Sequence, residues 1–223
     1  MKAVLVRAFA PFDEARVEDV PDPEPGSGEV IVDVVAAEAN YPDILVIEGK
    51  YQVKPPLPFS PGKAAAGRVA ALGPGVTALR PGDRVALQVE YGAYAEKVRV
   101  WAEHCFPMPD SMSFDVAAAL GLVYQTAHFA LLDRAGFRPG DVVLVLGATG
   151  GVGMASVQLA KALGARLVIG AAGPAKAAVA QAIGADAVID ASGADLRDRM
   201  REEVARLTDG HGADTSSTRS AAP

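Results

Sequence analysis

Metal and disulfide chemistry have little to work with in this sequence. Cysteine occurs once, at Cys105, and histidine three times in 223 residues. A single cysteine excludes an intrachain disulfide and makes a reducing, cytoplasmic setting the expectation. Zinc needs clustered Cys and His. His104 adjoins Cys105, but no further partner follows at a ligand spacing; His128 falls in a helical stretch and His211 in a turn. No metal is therefore expected, and Cys105 reads as a small core residue. Basic clusters are missing too. The formal net charge is -6, which argues against nucleic acid and against an anionic membrane surface as partners. No apolar run approaches the ~20 residues a bilayer requires. The start, MKAVLVRAF, is too short in its apolar part for a signal peptide, and Arg7 interrupts it; it reads as a first strand.

What is present is organised around Asp141 to Ala165. Val142 to Leu146 is a short apolar run rich in β-branched residues, as in a buried parallel strand. Gly147, Gly150, Gly151 and Gly153 then make a turn, and a helix from about Val152 to Leu163 ends at Gly164 as its cap. This is the opening βα unit of a dinucleotide fold. Glycine lets the chain turn tightly and lets a diphosphate come close, while the helix start offers free N–H groups. The first position of the usual three-glycine pattern is Ala148, followed by Gly150 and Gly153. The strand before and the helix after set this stretch apart from a loop with incidental glycines.

The first 122 residues are punctuated by proline and glycine. Lys2–Arg7, Glu29–Ala37, Gly67–Leu72, Arg84–Val89 and Tyr94–Val100 are strand candidates, and Pro81-Gly82-Asp83 is a turn. This predicts a β-rich, barrel-like domain over residues 1–122. Asp43–Glu48 is a short helix after Pro42, and the proline-rich stretch Tyr51 to Pro61 is an irregular loop. Ser113 caps a helix over Phe114–Leu122, and Tyr124–Arg134 is a second. Past the glycine turn, strands at Arg166–Ala171 and Ala187–Ile189 alternate with helices at Ala175–Ile183 and Leu196–Leu207. The order βαβαβα predicts a parallel sheet with right-handed crossovers over residues 123–214.

Cofactor choice is read at the end of the second strand. A carboxylate there, about 20 residues after the glycine turn, would hold the ribose hydroxyls of NAD. Here the chain reads Gly170-Ala171-Ala172-Gly173, with no acid, which leaves room for a 2′-phosphate and favours NADPH. Lys176 follows, either paired with that phosphate or simply solvated at a helix start.

An ordered set of short motifs extends this reading. They are Asn40-Tyr41-Pro42-Asp43, Gly49-Lys50-Tyr51, Pro56-Leu57-Pro58 with Pro61-Gly62, Pro81-Gly82-Asp83-Arg84-Val85, Gly92-Ala93-Tyr94-Ala95-Glu96, Thr126-Ala127, and Gly147 to Gln158. As a set, the chain resembles the zinc-free quinone oxidoreductase branch of the medium-chain dehydrogenase/reductase superfamily. The resemblance implies an α/β protein with a GroES-like β-rich catalytic domain and a Rossmann domain. NADPH would lie in the cleft between them, and hydride would pass to a quinone or another electron-poor alkene. It implies that Asn40, Tyr51 and Thr126 face the nicotinamide end, with Asn40 and Tyr51 as catalytic candidates. Tyr41 and Asp43 would shape the substrate wall. Ala148, Gly150, Gly151, Val152, Gly153 and Lys176 would hold the phosphates and the adenosine end. Asn40 stands where the zinc-dependent alcohol dehydrogenases carry a metal-ligand cysteine. A hydroxyl or amide near the acceptor oxygen would stabilise its developing charge, as Tyr51 and Asn40 could. On residue type alone, Tyr51 also reads as a loop tyrosine packed on the core, and Asn40 as a turn residue before Pro42. An enoyl-thioester reductase is the alternative enzyme, and an inactive remnant or cofactor-binding protein the alternative of another class. The full-length parent is expected to be a homodimer.

Two departures from the family pattern stand out. After Pro61-Gly62-Lys63 the family usually has a glutamate, and this chain has Ala64. After Asp214 the expected fourth strand, Val-Val-x-Asp-Pro-Val-Gly-Gly, is replaced by Thr215-Ser216-Ser217-Thr218-Arg219-Ser220-Ala221-Ala222-Pro223. Its composition is that of a disordered tail. Written in G/C-rich codons and read two bases later, that tail becomes Val-Val-Asp-Pro-Val-Gly-Gly. The expectation is a Rossmann domain truncated or frameshifted after Asp214, with a bare apolar edge at Val142–Leu146 or Ala187–Ile189.

Overall fold

The computed structural model describes residues 1–193 and 195–217. The chain divides into two compact units, Met1–Leu122 and the residues from Val123 onward.

The first unit is β-rich. A two-stranded ribbon pairs β1 (Lys2–Leu5) with β2 (Arg16–Asp19). A five-stranded antiparallel sheet has the order β6-β3-β4-β5-β7, from β3 (Glu29–Ala37), β4 (Ala64–Leu72), β5 (Arg84–Gln88), β6 (Lys97–Trp101) and β7 (Cys105–Pro107). Alternation explains the packing: Val85 and Leu87 on β5, and Val98 and Val100 on β6, point into one core with Val30, Val32, Val69 and Cys105. β2 and β7 are absent from the sequence reading because each is short and exposes most of its residues. The helix α1 (Tyr41–Ile47) follows β3, and no regular element lies between it and β4.

The helical expectation after Ser113 needs correction. In place of two helices there is one, α2 (Phe114–His128), which runs directly into a π-helical turn at Phe129–Arg134. Together these 21 residues are long and apolar enough to cross a membrane by length and composition, contrary to the expectation of no such run. Ala117 and Ala118 pack with Ala66, whereas Leu131 is fully buried with Phe137, Val143 and Val145. Of the helix's most apolar stretch, 22% is buried.

The second unit alternates β8 (Val142–Leu146), α3 (Gly151–Ala162), β9 (Leu167–Ala172), α4 (Ala177–Ala182), β10 (Ala187–Asp190) and α5 (Leu196–Leu207). A single turn, Pro174–Lys176, precedes α4. The sheet is parallel and is buried on both faces. Val143 and Val145 meet Val157 of α3, while Val142 joins Ile169, Ile189 and Val204 of α5.

The expectation of a disordered tail fails at its start. Thr215–Ser217 is a strand, β11, paired in parallel with β8, so the order is β10-β9-β8-β11. The β8 edge is therefore not bare. Asp214 fixes the register: its N–H donates to Val142 O (3.0 Å) and its Oδ2 accepts from Val142 N (2.8 Å). Backbone pairing does not depend on side-chain polarity, so Thr-Ser-Ser can take this place. Residues 218–223 of the expected tail lie outside the described residues.

Candidate functional site

In the second unit, β8 ends in the glycine turn. Gly147 has φ +63°, which glycine adopts without strain, and its carbonyl accepts from Gly150 N–H (2.9 Å). A Cβ on Gly153 would lie 2.1 Å from that carbonyl oxygen, so only glycine lets α3 pack against the turn. Ala148 is fully buried, and its N–H donates to Ala171 O (3.0 Å), tying the end of β8 to β9. Gly150 caps α3 with no side chain. Among the described residues, the N–H groups of Gly151, Val152 and Gly153 have no acceptor. Gly150 and Gly151 are exposed and Val152 is half-buried. Unpaired N–H groups at the positive end of a helix suit an anion.

No acid stands at the end of β9, where Gly173 is open around its Cα. Lys176 is exposed in the turn before α4. The nearest strand-end acid, Asp190 on β10, is already engaged. Ser192 donates its hydroxyl (2.7 Å) and its N–H (2.8 Å) to Asp190 Oδ1. Those bonds hold the carboxyl below the usual range.

In the first unit the Asn40 motif caps α1. Asn40 N–H donates to Asp43 Oδ2 (2.8 Å), Asp43 N–H donates to Asn40 O (3.0 Å), and Tyr94 OH donates to Asp43 Oδ2 (2.9 Å). Asp43 is only 3% exposed. Burial, then Asp43, push the Tyr94 phenol up, so it stays a donor. Glu38 N–H donates to Ala64 O (3.2 Å). Burial also pushes the Glu38 carboxyl up, while the Asn40 amide and the Leu122 backbone pull the other way. Glu38 Oε1, Asn40 Nδ2 and Asp43 Oδ1 are buried with no hydrogen-bond partner among the described residues.

Tyr41 is largely exposed. Tyr51 is half-buried and packs on Val6, Val46, Ile47 and Phe59. Lys63 is 4% exposed and donates to Glu90 O (3.0 Å) and Oε2 (2.9 Å). Its ammonium lies 4.8 Å from the Tyr51 ring centroid. The structure thus joins Asn40 to Asp43, and Tyr51 to Lys63. Among the described residues, no hydrogen bond or ring contact links Asn40 to Tyr51. Thr126 is half-buried on α2. Sequence reasoning missed Glu38, Lys63 and Tyr94 as parts of this site. Tyr94 and Lys63 lie within or beside quoted motifs and could have been found; Glu38 carried no signal, since it reads only as the end of a strand. Among the described residues, no three of His, Cys, Asp and Glu come together around a metal position. Burial pushes the Cys105 thiol up to about 12.

A β-rich unit followed by a parallel sheet with a glycine turn at its first helix is the two-part architecture of dehydrogenases and reductases that bind a dinucleotide. The family description "Alcohol dehydrogenase GroES-like domain" matches residues 26–110, and "Zinc-binding dehydrogenase" matches residues 151–222. The synaptic vesicle membrane protein VAT-1 homolog of Rattus norvegicus is 38% identical over 174 residues, 77% of this chain and 43% of its own length. The quinone oxidoreductase of the same organism is 38% identical over 174 residues, 77% of this chain and 53% of its own. Among solved structures, an NAD-dependent alcohol dehydrogenase has TM-score 0.89 at 37% identity, covering 97% of this chain and 70% of that one. A mycobacterial protein complexed with NADPH has TM-score 0.86 at 34% identity, covering 97% and 66%. The enoyl reductase CurK has TM-score 0.85 at 27% identity, covering 96% and 66%. The chain belongs to the quinone oxidoreductase-type family of the medium-chain dehydrogenase/reductase superfamily. It spans about half the length of the curated relatives it matches.

Proposed function

We propose that this chain is the GroES-like and first Rossmann part of an NADPH-dependent reductase that transfers hydride to a quinone or another electron-poor alkene without a metal. The carrying observation is the row of N–H groups at Gly151, Val152 and Gly153, unpaired among the described residues, at the start of the helix that follows β8. That donor set fits a diphosphate. Gly150 leaves the approach open, since a Cβ there would meet only Gly147 O, at 3.4 Å. Ala148 serves by holding the turn against β9. The missing acid after β9 and the exposed Lys176 support a 2′-phosphate.

Bound NADPH would supply the hydride; the protein supplies position and polarity. In this reading the Asn40 amide and the Tyr51 hydroxyl donate to the acceptor oxygen as it gains charge. Thr126 lies toward the nicotinamide. Tyr41 forms part of the substrate wall, and Asp43 holds Asn40 by capping α1. Proposed domain limits are 1–122 for the GroES-like part and from 123 for the Rossmann part, whose sheet includes β11.

NADPH oxidation with a benzoquinone and with crotonyl-CoA tests this. Turnover of the quinone supports the reading; turnover of the thioester alone replaces it with an enoyl reductase, the activity named for one structural neighbour. NADPH binding with no turnover assigns the chain a binding role.

A further inference from the structure

Pro61-Gly62-Lys63-Ala64 lacks a carboxylate at its last position, and the structure brings one to the same place from across the sheet. β3 is antiparallel to β4, with Ala36 opposite Ala66 and Ala37 opposite Ala65. The ladder continues one step further, where Glu38 N–H donates to Ala64 O. Residues facing each other in such a pair project to the same side of the sheet. On that side lies α2. A Cβ on Gly121 would meet the Ala64 Cβ at 2.9 Å, and the backbone of the next residue, Leu122, favours the charged form of the Glu38 carboxyl. A side chain from either position reaches the same turn of helix.

Asn40 is the neighbour that gives this carboxylate a purpose. Among the described residues, Glu38 Oε1 is a buried acceptor without a donor, and Asn40 Nδ2 is a buried donor without an acceptor. Asn40 follows two residues on with extended backbone (φ -122°, ψ 154°), which turns its side chain to the Glu38 side, and its amide favours the charged form of Glu38. Pairing the two satisfies both, and buried polar atoms are expensive when left alone. The other groups facing Glu38 are the Asp43 carboxylate, which opposes its ionisation, the Leu122 backbone, which favours it, and the nearby Tyr94 hydroxyl. We propose that Glu38 is a positioning residue: its carboxylate orients the Asn40 side-chain amide, doing from just past the end of β3 what position 64 cannot do with alanine. This rests on the reading of Asn40 as a donor to the acceptor oxygen.

A purely structural role predicts something different. Burial raises the Glu38 pKa in the folded state. Its contribution to stability is then present below the unfolded-state pKa and lost as pH rises through the folded one. A neutral glutamine of the same shape should therefore be more stable than glutamate at neutral pH, and a carboxylate kept only for stability would gain by the exchange.

The test compares wild type, Glu38→Gln and the swap Glu38→Ala/Ala64→Glu. The side-chain amide signals of Asn40, followed by NMR through the carboxylate titration range, should move with pH in wild type. The movement should be larger in wild type and in the swap than in Glu38→Gln, where Asp43 is the carboxylate left beside Asn40. Static signals in wild type overturn the pairing, as does movement in wild type no larger than in Glu38→Gln. With NADPH and a benzoquinone, Glu38→Gln should lose about tenfold in kcat with KM changed by less than about twofold, the signature of one lost charge-assisted hydrogen bond. Unchanged kcat in Glu38→Gln overturns the positioning role. If glutamate at 64 crowds Gly121 and the swap does not fold, Glu38→Gln still decides. If wild type turns over no acceptor, the reductase reading fails while the NMR result judges the pair.

Discussion

Gly153 and Gly150 sit three residues apart with very different tolerances. A methyl on Gly153 would drive into the Gly147 carbonyl, whereas one on Gly150 would make an ordinary contact. Gly153→Ala should cost about 1–3 kcal/mol by overpacking, read by urea denaturation. Gly150→Ala should fold with near wild-type stability but, on the proposed function, bind NADPH more weakly, because its methyl would stand where the phosphates would approach. Equal binding by Gly150→Ala and wild type would remove the phosphates from this turn. Tyr94→Phe probes the other cluster. It strips the hydroxyl donor from the buried Asp43 carboxylate, and should cost about 1–3 kcal/mol. Denaturant unfolding of the two proteins checks it. At this scale the candidate residues were legible where a motif carried them, as with Asn40, Asp43 and Gly150. Glu38 was not, because its significance lies in facing Ala64 across two strands.

Among the elements, α2 and β11 depart most from the sequence reading. Gly121, Leu122 and Val123 mark no break in helical geometry, so nothing stops α2 between its two predicted halves. The π-helical turn that continues α2 is anchored by Leu131, fully buried against Val143 and Val145. Leu131→Ala should destabilise the protein by about 2–5 kcal/mol, measured by chemical denaturation. A cost well under about 1 kcal/mol would show that this end of the helix is loosely packed. β11 illustrates the opposite lesson. Thr-Ser-Ser has no hydrophobic pattern to announce a strand, and its pairing comes from the free backbone groups of β8 beside it. The strands Val142–Leu146 and Glu29–Ala37, by contrast, matched their predicted limits because burial is written into their β-branched runs.

For the whole molecule, the testable property is linkage between cofactor and folding. A ligand that binds only the folded chain stabilises it by about 2.7 kcal/mol at a hundredfold excess over Kd. NADPH should therefore raise the melting temperature at concentrations where NADH has a smaller effect, since no acid follows β9 to hold a free ribose. Equal shifts from the two cofactors would contradict the NADPH assignment. An absent shift from both would contradict the binding site itself.

The sequence by itself determined the β-rich first part, the βαβ order of the second, and the glycine turn. These depend on local rules: side-chain alternation, helix caps, and a backbone conformation open mainly to glycine. Tertiary structure alone decided that Thr215–Ser217 would join β8, that α2 would run unbroken, and that Glu38 would face Ala64 beside Asn40. Each of those depends on backbone groups or side chains distant along the chain becoming neighbours. Burial then turns that nearness into strong constraint, because a polar atom out of water must find its partner wherever the fold has put one.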